Sequence, residues 1–136
     1  MISIIICTYN REKYIGQLLN SLAQNDYPVT DYEIILVDNN CTDNTHTICQ
    51  QFAEEHSDIT FRYVIEPVQG LSAARNKGIK EAQGDIIIYV DDDALVDSNY
   101  IRTYAEHFSS HPDTMAAGGP IEPLYETEEP SWMSPY

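Results

Sequence analysis

The 136-residue chain is predicted to be an α/β protein of three layers (α/β/α) built on a mostly parallel sheet. Three observations point there. Ile2–Cys7, EIILV at 33–37 and IIIYV at 86–90 are short, nearly continuous apolar runs rich in β-branched residues, the pattern of strands buried on both faces. The segments between them carry apolar residues at helical spacing. The two kinds of segment alternate along the chain, which favours parallel strands joined by helical crossovers.

The elements follow in order. Ile2–Cys7 is the first strand. Asn10 is read as a helix cap, with Tyr14, Leu18, Leu19 and Leu22 on one face through Ala23. Asn25 to Pro28 breaks the chain before the second strand, Glu33–Val37. Asp43 caps a second helix with Ile48, Phe52 and Ala53 inward. Thr60–Ile65 alternates more and reads as a third strand nearer an edge. Gly70 turns, Ser72 is a plausible cap, Ala73–Ala82 is helical, and Gly84 ends it. Ile86–Val90 is the fourth strand. Asp97 or Ser98 opens a last helix with Ile101, Tyr104, Ala105 and Phe108 inward. Thr114–Gly119 is expected as a fifth strand. Residues 1–121 are expected to form the core domain. Residues 122–136, with four acids, three prolines and no base, are expected to be a loop-like tail.

The charge is strongly acidic: 22 acids against 7 bases, a net of −15. Such a chain does not suit a nucleic-acid backbone or an anionic membrane surface. The excess is uneven. Residues 1–80 hold ten acids and six bases, whereas residues 81–136 hold twelve acids and only Arg102. That asymmetry asks for a local reason, such as a cation site or a solvated acidic end. Cys7, Cys41 and Cys49 form no CxxC pair, so no disulfide framework or zinc knuckle is suggested. The N-terminus lacks the charged and long apolar regions of a signal peptide. No apolar stretch is long enough to span a membrane. A cytoplasmic location is expected, with the inner membrane face reached only through regions or partners outside this chain.

Ligands of open α/β sheets bind beyond the carboxyl ends of the strands. Three polar clusters stand there: Thr8-Tyr9-Asn10-Arg11, Asp38-Asn39-Asn40 and Asp91-Asp92-Asp93. Three adjacent carboxylates repel one another, and a divalent cation removes the conflict. All-oxygen ligands favour Mg²⁺ or Mn²⁺ over zinc. By itself the run also fits a solvated loop capping the next helix. Asp38 suits a ribose hydroxyl or a base N–H, or equally an Asx-turn in its own loop. Thr8 and Asn10 have turn and cap readings too. In the segment from Gly70 to Ile79, small residues permit close packing and Arg75 suits either a diphosphate or an aspartate. Neither GxGxxG nor a Walker A loop is present, so phosphate handling falls to a metal.

Four segments together resemble the N-terminal part of a family 2 glycosyltransferase of the GT-A (nucleotide-diphospho-sugar transferase) fold. They are Ser3–Arg11, Glu33–Thr45, Gly70–Ile79 and Tyr89–Asp93, in that family's order and spacing. Cys7 stands where members usually carry proline. Asn39, Asn40 and Cys41 stand where aspartate, glycine and serine are common. The resemblance implies that Thr8, Tyr9 and Asn10 line the base and ribose and that Asp38 reads the base. It implies that Arg75 and Asn76 close over the nucleotide and diphosphate. Asp91-Asp92-Asp93 matches the DXD motif, with Asp93 and Asp91 on a divalent metal (Mn or Mg) and Asp92 on ribose or sugar. The implied partners are a nucleotide-diphospho-sugar donor and a saccharide or lipid-linked acceptor, and the implied chemistry is one inverting displacement. In that family the general base lies well downstream of the aspartates. It is therefore expected beyond residue 136, in an acceptor region of which residues 122–136 would be the start. A donor-binding module without turnover is the alternative. A phosphoacceptor receiver domain is disfavoured, because its acid pair would sit where this chain has Thr8-Tyr9-Asn10.

Overall fold

The computed structural model describes residues 1–128. The part of the expected tail beyond Glu128 lies outside the described residues. Four strands and four helices alternate: β1 (Ile2–Thr8), α1 (Ile15–Ala23), β2 (Tyr32–Asp38), α2 (Thr45–Glu55), β3 (Thr60–Ile65), α3 (Leu71–Glu81), β4 (Ile86–Asp91) and α4 (Tyr100–Ser110). All strand pairs are parallel, in the order β3-β2-β1-β4. β1 registers Thr8 against Asp38 on one side and Cys7 against Asp91 on the other. The strand ends that matter therefore lie level.

Burial explains the layers. Ile4 and Ile6 of β1, Ile34 and Leu36 of β2, and Ile88 and Val90 of β4 face α1, α2 and α4. Ile5, Ile35 and Val37 point the other way, onto Ala74 of α3. Each fully buried isoleucine or leucine stabilises the fold by roughly 1.5–3 kcal/mol relative to exposure. Because β1 and β2 are covered on both faces, their sequences are continuous rather than alternating. Gly78 lets α3 lie close on the sheet, since a Cβ there would overlap the Ile5 side chain. The crossovers β1–α1–β2 and β2–α2–β3 step one way across the sheet; the crossover through α3 returns past β1 to β4. Right-handedness then sends α3 to the opposite face. No helix among the described residues is long and apolar enough to cross a membrane.

Several expectations change, among them the cap of α4, which is Asn99 rather than Asp97 or Ser98. Thr114–Gly119 forms no strand. Met115 is 95% exposed, and a Cβ on Gly118 would meet nothing, so the segment has no large side chain packed against the sheet edge. Asn10 does not cap α1, which begins at Ile15. It adopts φ 53° and accepts the Thr42 N–H at 2.7 Å instead, linking the loops after β1 and β2. Ser72 lies inside α3, whose N-cap is Gly70 at φ 139°. The N-cap of α2 is Asn44 rather than Asp43, although Asp43 Oδ1 accepts the Thr45 N–H at 3.0 Å.

Candidate functional site

The sheet's strand order reverses between β1 and β4, and there a crevice of about 460 Å³ opens at their carboxyl ends. Cys7, Thr8, Tyr9 and Arg11 line it from β1 and its following loop. Asp91, Asp92 and Asp93 line it from β4, and Asn39 from β2. Gln69, Gly70, Leu71 and Ala74 close it from the first turn of α3 and the loop before it.

The β4 side is anionic with one cationic neighbour. Asp92 is only 13% exposed, and burial raises its pKa above the usual carboxylate value. The Arg11 guanidinium opposes this, with Nε 3.3 Å from Asp92 Oδ1. Arg11 also reaches Asp93 Oδ2 at 3.9 Å. The Thr8 hydroxyl is buried and makes no hydrogen bond of ordinary geometry, although it lies near enough to Asp92 to favour that carboxylate's charged form. This buried hydroxyl stands on the crevice wall beside the Asp92 carboxylate. Burial pushes the Cys7 thiol up to about 11, so it is protonated at neutral pH and is no nucleophile.

The opposite wall is organised by Asn39. Its Nδ2 donates to the carbonyls of Glu66 and Val68, both at 2.8 Å, and its Oδ1 accepts the Gly70 N–H at 2.7 Å. Asn40, at φ 70°, donates to the Pro67 carbonyl at 3.1 Å and to Gln69 Oε1 at 3.0 Å. The two asparagines thus pin the 66–70 loop to the end of β2. That pinning aims the N-terminus of the eleven-residue α3 into the crevice. A helix start carries partial positive charge and unpaired N–H groups.

Of the residues singled out in the sequence, Thr8, Tyr9, Asp91, Asp92 and Asp93 come together in the crevice. Asn10, Asp38, Arg75 and Asn76 do not line it. Asp38 is buried, and both its oxygens are engaged: Oδ1 accepts the Cys41 N–H at 2.6 Å and Oδ2 accepts the Tyr63 hydroxyl. Burial, then the Asp38 carboxylate, raise the Tyr63 pKa. Arg75 stands in a small adjoining hollow, its guanidinium 5.5 Å from the centre of the Tyr89 ring. Asn76 is exposed on α3. Sequence reasoning singled out neither Arg11 nor Asn39 as a site residue. Both are members of the strand-end clusters picked out in the sequence, and that membership was the available signal.

The match to known proteins agrees with this geometry. The model of the family Glycosyl transferase family 2 matches residues 3–136. The poly(ribitol-phosphate) beta-N-acetylglucosaminyltransferase TarS of Staphylococcus aureus is 33% identical over 109 residues, which is 80% of this chain and 19% of that protein. The dolichyl N-acetyl-alpha-D-glucosaminyl phosphate 3-beta-D-2,3-diacetamido-2,3-dideoxy-beta-D-glucuronosyltransferase of Methanococcus voltae is 34% identical over 131 residues, 92% of this chain and 40% of its own. The crystal structure of S. aureus TarS residues 1–349 with UDP-GlcNAc superposes with a TM-score of 0.75 at 32% identity, over 82% of this chain and 32% of that one. A mannosyltransferase of Pyrobaculum calidifontis with GDP-Man and Mn²⁺ superposes at 0.76 and 28% identity, over 79% and 32%. The chain thus spans between a fifth and two-fifths of the length of these two curated relatives. Fold, strand-end motifs and matched length concur, and the chain belongs to glycosyltransferase family 2, with the GT-A fold.

Proposed function

We propose that this chain is the donor-binding part of a transferase that moves a sugar from a nucleoside-diphosphate sugar to an acceptor hydroxyl, saccharide or lipid-linked, with metal assistance and inversion at the anomeric carbon. The observation that carries the reading is the convergence of Thr8, Tyr9 and Asp91–Asp93 with the start of α3 in one crevice at the switch point of the sheet. Two solved relatives are described with UDP-GlcNAc and with GDP-Man and Mn²⁺, which supports that ligand class.

In this reading the exposed Tyr9 ring flanks the base and ribose, and Asp92 meets the ribose or sugar. The donor set suits Mn²⁺ or Mg²⁺, since Asp91 and Asp93 offer hard oxygens. No group of three or more His, Cys, Asp or Glu side chains able to hold a metal occurs among the described residues. Diphosphate oxygens and water would complete the coordination, as is usual for Mg²⁺. When bound, the cation supplies a Lewis acid for charge developing on the departing diphosphate. The α3 N-terminus adds partial positive charge from the opposite wall. Asn10 and Asp38 serve by shaping the loops after β1 and β2, and Arg75 and Asn76 act at the rim of the site. Residues 1–121 are the donor core, and 122–136 begin the acceptor region. No residue of this chain is assigned as general base.

Thermal unfolding with UDP, GDP and dTDP, each with and without Mn²⁺, tests this. One nucleotide at about 100 times its Kd should raise Tm by on the order of 10 °C, and only with metal present. Asp93→Ala should remove the metal-dependent shift. If no nucleotide shifts the wild-type transition with metal present, the donor-site reading fails.

A further inference from the structure

Among the described residues, Arg11 is the one cationic side chain lining the crevice. Its backbone is fixed: the N–H donates to Thr45 Oγ1 at 3.3 Å, and the carbonyl accepts the N–H groups of Tyr14 and Ile15, both at 3.0 Å. Its head is not. The side chain is 44% exposed, and the guanidinium meets Asp92 at 3.3 Å and Asp93 at 3.9 Å. Both distances exceed the roughly 2.7–2.9 Å of a charge-assisted hydrogen bond. The pairing is loose, on a stem long enough to turn. Arg75, the other cation nearby, is held against Tyr89 in the adjoining hollow.

Resting on the donor-site reading above, we propose that Arg11 is a built-in counter-cation that couples metal binding to nucleotide binding. Without donor it pairs with Asp92 and Asp93. A divalent metal taking Asp93 must displace it, because the two cations compete for one carboxylate. The guanidinium edge released from Asp93 then lacks an anion while Nε stays beside Asp92, and its planar fork matches the diphosphate of an incoming nucleotide. Metal alone is therefore resisted, and metal with nucleotide is favoured. The uneven exposure of the pair fits this order. Asp92 is 13% exposed and stays covered, whereas Asp93 is 51% exposed and open to exchange.

Calorimetric titration of Mn²⁺ into the whole chain, with and without whichever of UDP, GDP or dTDP it binds, reads the coupling directly. Arg11→Met keeps the apolar stem and removes the charge. It should bind Mn²⁺ alone at least about fivefold more tightly than wild type, and the gain in Mn²⁺ affinity on adding nucleotide should shrink about tenfold. Arg11→Lys keeps a charge without the fork. It should resist Mn²⁺ alone as wild type does and recover only part of the coupling, which separates this role from mere support of the loop. An unchanged affinity for Mn²⁺ alone in Arg11→Met, or an unchanged ratio, overturns the proposal and leaves the donor site standing. A wild-type chain that binds no nucleotide with Mn²⁺ overturns both.

Discussion

Asn39 shows how one side chain can set the geometry of a site. Three of its hydrogen bonds, to the carbonyls of Glu66 and Val68 and from the N–H of Gly70, tie the end of β2 to the loop that aims α3. Removing them leaves part-buried backbone groups to water, a loss of about 1 kcal/mol. Asn39→Ala should unfold at lower temperature. At a temperature where both proteins are folded, its affinity for the Mn²⁺-nucleotide should fall by about tenfold, or roughly 1.4 kcal/mol. Equal affinities in a calorimetric comparison would remove this loop from the site. The three aspartates were legible in the sequence because adjacent carboxylates after a buried strand are conspicuous. Asn39 was not, because two of its partners are backbone carbonyls some thirty residues away, which a sequence does not display. Asp38 was legible as a strand-end acid, and its two oxygens serve the Cys41 N–H in its own loop and the Tyr63 hydroxyl of β3.

At the scale of elements, runs of β-branched residues announced β1, β2 and β4, alternation announced β3, and period-3.6 spacing announced α1, α2 and α4. Boundaries and caps were less legible. The helix after Asn10 starts five residues later, because Asn10 is spent on Thr42 and residues 11–14 form a turn. The supposed fifth strand offers two glycines and an exposed Met115, too little to pack against β4. One feature of β2 was hidden. Glu33 is fully buried within an apolar run. Its Oε1 accepts from the Ser3 hydroxyl at 2.6 Å and the Gln83 N–H at 2.7 Å, and its Oε2 lies 3.3 Å from Arg62 Nη1. Arg62 bridges on to Glu81, whose pKa is held low chiefly by Lys77. This network ties β1, β2, β3 and α3 at the sheet's amino edge, opposite the crevice. Arg62→Ala leaves a buried carboxylate without its cation and should cost about 3 kcal/mol in a urea titration, with nucleotide binding by the folded fraction preserved. A loss below about 0.5 kcal/mol would mean that Ser3 and Gln83 suffice.

The whole molecule separates these two edges. Strand order β3-β2-β1-β4 puts the stabilising ion network at one end of the sheet and the proposed donor crevice at the other. It also gives the acidic excess of residues 81–136 a partial reason. Asp91, Asp92 and Asp93 line the crevice, where the proposed metal would offset their charge, while Glu122 and Glu128 are exposed. Glu126 pairs with Lys13 at 2.7 Å, on the loop that carries Tyr9 and Arg11. The central claim is one of place: metal and nucleotide meet where β1 and β4 end. Paramagnetic broadening of backbone amide NMR signals by Mn²⁺ in the presence of the bound nucleotide tests that place directly. Signals of residues 7–11, 69–71 and 91–93 should disappear first, while those of Glu33, Arg62 and Gln83 persist. Broadening centred on any other part of the fold, or none with nucleotide present, would contradict it.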